Sequence, residues 1–132
     1  MLFVAQGRKP HLEIYGTDYP TPDGTCIRDY IHIKDLAQAH ILGLQLGKRG
    51  FFNLGNGDGY SVKEVISMCE QITGKKIPVI EKPRRAGDPP LLIAASEKVK
   101  RELGWVPKYQ SIEKIIESAW AWHLKHPNGY GD

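Results

Sequence analysis

Short apolar runs alternate with longer amphipathic stretches along the whole chain, and this alternation most limits its fold. Strand-like segments fall at residues 12–15, 27–33, 51–54 and 77–80. Helical stretches fall between and after them, at 36–47, from Ser61 to Gly74, from Ser96 to Leu103, and from Ser111 to just before Pro127. Strand–helix alternation argues an α/β fold. Ile27, Asp29, Ile31 and Ile33 alternate with Arg28, Tyr30 and His32, which is the period of a strand, and Asp35 is placed to cap the next helix. Ser61 and Glu64 have the spacing of a capping box, and the helix they start carries Val62, Val65, Ile66, Cys69 and Ile72 on one face. The last helix turns Ile112, Ile115, Ile116, Ala119 and Trp122 inward. About four short strands are too little sheet to cover these faces. Residues 1–8 read as the tail of a helix with no cap before it, so the chain reads as truncated, with part of its fold elsewhere.

A length of 132 residues suits one domain. With 41% hydrophobic and 25% charged residues, the composition is that of a soluble globular protein. Charges break every apolar run short of membrane length, and Arg8 and Lys9 follow the apolar start instead of preceding it, so no span or signal peptide is expected. Cys26 and Cys69 have no metal-type spacing and are too few for a disulfide framework, which points to a reducing, cytoplasmic setting. The net charge of +3 is spread, and Lys98, Lys100 and Arg101 alternate with Glu97 and Glu102. These are solvated faces, and neither nucleic acid nor membrane is an expected partner. The five histidines lack paired metal spacing.

Two clusters carry chemistry: Arg28-Asp29-Tyr30, and Arg84-Arg85-Ala86-Gly87-Asp88 in a loop with three prolines. Arginine's planar fork suits phosphate oxygens, and an aspartate accepts from sugar hydroxyls, so a phosphorylated, hydroxyl-rich ligand is indicated. An arginine–aspartate pair within the first cluster, and a plain exposed loop at the second, are the structural alternatives. Two other motifs mislead. Gly55-x-Gly57-x-Gly59 lies between a strand and a helix, but its spacing is wrong for a dinucleotide loop, and a turn needing positive φ explains it. Tyr30 and Lys34 have the Tyr-x-x-x-Lys spacing that works only on a helix. On a strand they stand roughly 13 Å apart.

The runs Ile14-Tyr15-Gly16-Thr17-Asp18-Tyr19, Arg28-Asp29-Tyr30-Ile31-His32-Ile33, Asp35-Leu36-Ala37, Phe52-Asn53-Leu54-Gly55, Arg84-Arg85-Ala86-Gly87-Asp88-Pro89, Leu103-Gly104-Trp105 and His126-Pro127-Asn128-Gly129-Tyr130 are quoted together because their combination is specific. The chain resembles the C-terminal portion of the UDP-glucose 4-epimerases, a family of extended short-chain dehydrogenases/reductases. The resemblance implies a fold of few short strands with about four helices, residues 1–132 being a UDP-sugar-binding portion without the Rossmann, NAD-binding half. It implies substrates UDP-glucose and UDP-galactose, a role in galactose metabolism, and NAD in the intact enzyme but none bound by this chain alone. The missing half carries the acid/base tyrosine, so the chain alone is expected to be inactive. The helix at 36–47 and the strand at 51–54 are expected to pack on that half. Without it the chain should expose apolar surface and self-associate.

By the same resemblance, Arg28 and Arg85 grip the diphosphate, Asp88 accepts from ribose, Tyr15 packs on uracil, and Tyr30 lines the nucleotide pocket. The backbone at Glu13 and Ile14 approaches the uracil edge. Leu92 lies beside the sugar, and its intermediate size leaves both UDP-glucose and its N-acetyl analogue open. A non-catalytic nucleotide-sugar binding or assembly module is the alternative from another class.

Overall fold

The computed structural model describes residues 1–47 and 49–130. The elements run α1 (Leu2–Ala5), β1 (Leu12–Tyr15), β2 (Ile27–Arg28), α2 (Ile33–Gln45), β3 (Tyr60–Ser61), α3 (Val62–Thr73), β4 (Val79–Lys82), β5 (Leu91–Leu92), α4 (Glu97–Leu103) and α5 (Ile112–Lys125). The expected α/β class holds, with the strands divided between two small sheets. β1 pairs in parallel with β4, Leu12 opposite Val79 and Tyr15 opposite Lys82. β2 lies between β3, antiparallel, and β5, parallel.

The best-specified element is α3. The Ser61 hydroxyl accepts from the Glu64 amide at 3.1 Å, and the Glu64 carboxylate accepts from the Ser61 amide at 2.7 Å. This is the capping box read from the sequence, and the helix ends at Gly74 in the left-handed conformation. Its buried residues Val65, Ile66 and Cys69 meet Ile112 and Ile116 of α5, Val4 of α1, Ile14 of β1 and Ile77 in the larger core. A side chain such as Val65 or Ile116 contributes roughly 1.5–3 kcal/mol when fully buried. A second core joins Ala39 of α2, Val99 of α4 and Trp105, with Phe52 and Leu54 packed on it.

Several boundaries differ from the expectation. The strand expected over 27–33 ends at Arg28. From there the Asp29 carboxylate accepts amides of Asn56, Gly57 and Ala94, and the Tyr30 carbonyl accepts from the Asn56 side chain, so the backbone leaves the ladder. α2 starts at Ile33, earlier than residue 36, and its cap is His32, whose Nδ1 accepts from the Lys34 amide at 3.0 Å. Asp35 is not the cap. It is 1% exposed inside the first turn and accepts the amides of Lys108 and Tyr109 at 2.9 and 2.8 Å. The segment 51–54 is no strand: Phe52 and Leu54 are packed against the second core without a ladder partner. The strand expected at 77–80 is shifted to Val79–Lys82, because the Ile77 amide is taken by the Glu70 carboxylate. Ser96 precedes α4 but makes no side-chain cap. Ile115, Ala119 and Trp122 of α5 are only half-buried and line an open groove with Ile31 and Ile33.

Candidate functional site

The turn at 85–88 joins two groups of side chains. In the first, β1 carries Glu13 and Tyr15 into a groove of about 490 Å³ whose far wall includes Arg85. The Arg85 guanidinium carbon lies 3.6 Å from the centre of the Tyr15 ring, a cation–π stack. The Tyr15 hydroxyl donates to Glu13 at 2.5 Å, and Lys82 stands 3.5 Å from the other Glu13 oxygen. The Tyr15 bond, helped by Lys82, holds the Glu13 carboxyl below its ordinary pKa against the upward push of burial. Strand alternation sends the Ile14 side chain into the core, where it is 3% exposed, so Ile14 can offer a ligand only its backbone.

In the second group, Arg28 at the end of β2 donates to the carbonyls of Ile27 and Pro89, both at 2.9 Å, and stands 3.5 Å from the Asp88 carboxylate. The pairing within Arg28-Asp29, the alternative left open by the sequence, is not formed: Asp29 is occupied with the glycine loop. Leu92 sits opposite Arg28 in the β2–β5 register and is 58% exposed. Tyr30 packs half-buried on the larger core. Burial pushes its phenol pKa up, and the nearby Arg28 charge pulls the other way. The Asp88 amide donates to the Arg85 carbonyl at 3.3 Å, which closes the turn and joins Arg85 to the residue that meets Arg28.

The glycine loop does not suit a dinucleotide. Its Asn56 and Gly57 amides, which would face a pyrophosphate, already donate to Asp29. The positive φ expected of this turn occurs at Gly57; Gly55 is needed because a Cβ there would strike the Asp29 carboxylate. Tyr30 lies outside α2 and Lys34 inside it, with the Lys34 ammonium 5.7 Å from the Tyr109 ring centre, so the two do not form a helical i, i+4 pair. The strand argument for separating them holds only as far as Arg28. Among the described residues no three metal-ligating side chains come together, and no helix is long and apolar enough to cross a membrane.

Sequence reasoning missed Arg84, Asp18 and Tyr19. Arg84 Nε donates to Asp18 at 2.7 Å, and its guanidinium lies 4.3 Å from the Tyr19 ring centre. The signal available was the doubled arginine, whose two members take different ring partners, Tyr19 for Arg84 and Tyr15 for Arg85.

Residues 10–119 match the family model described as GDP-mannose 4,6 dehydratase. The chain is 55% identical to the UDP-glucose 4-epimerase of Halalkalibacterium halodurans, over 98% of this chain and 40% of that protein. It is 45% identical to UDP-arabinose 4-epimerase 1 of Arabidopsis thaliana, over 97% of this chain and 31% of that one. A crystal structure of a UDP-glucose 4-epimerase superposes with a TM-score of 0.91 at 52% identity, covering 99% of this chain and 41% of the other. The Bifidobacterium longum enzyme in complex with NAD+ and UDP superposes with a TM-score of 0.88 at 42% identity, covering 98% and 39%. The chain thus spans about two-fifths of the length of these UDP-glucose 4-epimerases. With a family model matched over most of its length and a UDP-glucose 4-epimerase structure superposing over 99% of it, the chain belongs to the extended short-chain dehydrogenase/reductase family and corresponds to the C-terminal portion of a UDP-glucose 4-epimerase.

Proposed function

We propose that residues 1–132 are the part of a UDP-glucose 4-epimerase that holds the UDP of the substrate during C4 epimerisation in galactose metabolism. The observation that carries this reading is the turn at 85–88, which sets Arg85 against Tyr15 and Asp88 against Arg28. An aromatic face beside a guanidinium suits a flat base followed by a phosphate. The second arginine extends the clamp, and the aspartate accepts from ribose. UDP is common to the names of the relatives described, whereas the sugar differs between glucose and arabinose. This favours a site that reads the nucleotide, with Leu92 beside the variable sugar.

A nucleotide held this way fixes the sugar's position and contributes through proximity. No residue of this chain is assigned to proton transfer or to NAD, whose chemistry, hydride exchange at the sugar carbon, belongs to an N-terminal part. Pure chain supplied with NAD and UDP-galactose is therefore expected to give no turnover. The main test is calorimetric titration with UDP of the chain, Arg28→Ala and Arg85→Ala. Each substitution should weaken binding roughly tenfold or more, the usual cost of losing a charge-assisted phosphate contact. Parent-like binding by both variants would remove the diphosphate assignment.

A further inference from the structure

Arg84 and Arg85 are neighbours in sequence with different surroundings. Arg85 stacks on Tyr15 in the groove, whereas Arg84 is tied to the loop between β1 and β2. One Arg84 nitrogen donates to the Asp18 carboxylate at 2.7 Å, another donates to the Asp18 carbonyl oxygen, and the guanidinium plane lies over Tyr19. The acceptor side is rigid. Tyr19 is 5% exposed, and its amide donates to the Gly24 carbonyl at 2.9 Å. Gly16, with φ of +83°, lies against the Tyr19 ring and the Arg84 stem, where a Cβ would collide with both. A lone exposed ion pair fixes little. A planar fork with two acceptors and a buried ring beneath it sets both position and orientation.

We propose that Arg84 is a positioning residue: it clips the 83–90 loop to the 17–25 loop and so fixes the backbone from which Arg85 and Asp88 reach the nucleotide. What the clip serves rests on the UDP reading; the clip itself does not. Asp88 is the outward end of the same device, since its amide returns to the Arg85 carbonyl while its carboxylate meets Arg28.

The test measures amide hydrogen exchange and UDP affinity on the full chain, for the parent, Arg84→Ala, Arg84→Lys, Asp18→Ala, Arg85→Ala and the Arg84→Ala/Arg85→Ala double variant. Arg84→Ala and Asp18→Ala should speed exchange roughly tenfold at the Asp88 and Tyr19 amides, which are bonded in the two clipped loops, and leave the amides of α3 and α5 as they are, as a local opening does. Both should weaken UDP binding. Arg84→Lys should not restore either quantity, because a point charge cannot replace the fork and the stack. The double variant should lose less affinity than the two single losses combined, as residues acting through one another do. Unchanged exchange in Arg84→Ala overturns the clip. Fully additive losses with a silent Asp18→Ala make Arg84 a direct phosphate ligand and also overturn it. A parent that binds no UDP sinks the UDP reading alone, and the exchange rates then decide the clip.

Discussion

Asp35 and Asp29 accept amides from distant parts of the chain. Asp35 takes the Lys108 and Tyr109 amides from a position 1% exposed, and its own carbonyl accepts from the Trp105 indole at 3.0 Å. Replacing it with Ala leaves two donors without a partner, so Asp35→Ala should cost about 2–4 kcal/mol, read from urea unfolding, with Asp35→Asn costing less. Glu70 does similar work at the exit of α3. The Ile77 amide, then Lys76, pull its carboxyl below the ordinary pKa, against a smaller upward push from burial. A carboxylate whose folded pKa is depressed stabilises fully above its unfolded value and loses that contribution as pH falls through the folded one. The stability gap between parent and Glu70→Gln should therefore be open at neutral pH and closed in acid, which unfolding midpoints at both pH values will measure. That Asp35 accepts amides was legible in the sequence, its partners were not, and the amide-accepting role of Asp29 was not read at all. Asp35 has the local surroundings of a helix cap, and only the folded chain brings residues 108 and 109 to it.

The serine-capped starts of α3 and α5, each closed within four residues, were legible. The α3 capping box needs only residues 61–64, and Ser61→Ala should cost about 1 kcal/mol by loss of the cap, visible as a lower melting temperature. The Ser61 hydroxyl also donates to Asp23. Burial alone would raise the Asp23 carboxyl's pKa, but this bond and those from Thr25 outweigh burial and bring it below the ordinary value. Ile116→Ala, at the contact of α5 with α3, should cost about 2–5 kcal/mol, the usual range for emptying a core position. By contrast β3 and β5 hold two residues each, too few for any period to appear. Ile27–Ile33 does alternate, yet only its first two residues pair, because Asp29 and Tyr30 are drawn to the loop at 55–57. The site followed the same division. Arg28, Arg85 and Asp88 stood out by residue type within motifs, whereas Arg84 needed the Asp18–Tyr19 contact to be recognised.

The whole molecule carries more apolar surface than its own cores use. Ile33 is 72% exposed, Leu44 85% and Phe51 91%, and a groove of about 840 Å³ runs between the start of α2 and α5. Isolated chain should therefore associate as its concentration rises, and Ile33→Lys with Leu44→Lys should reduce that association in sedimentation velocity. The two parallel ladders have a further consequence, in the order of folding. β1 meets β4, and β2 meets β5, only after the chain between them has closed a long loop. Such non-local pairings are entropically late, whereas α3 and α5 form from near neighbours. On refolding, helical signal should return first and, on the proposed UDP reading, nucleotide capture last. On the proposed UDP reading the site needs both ladders, so capture of UDP should count fully folded molecules and pass over compact helical ones.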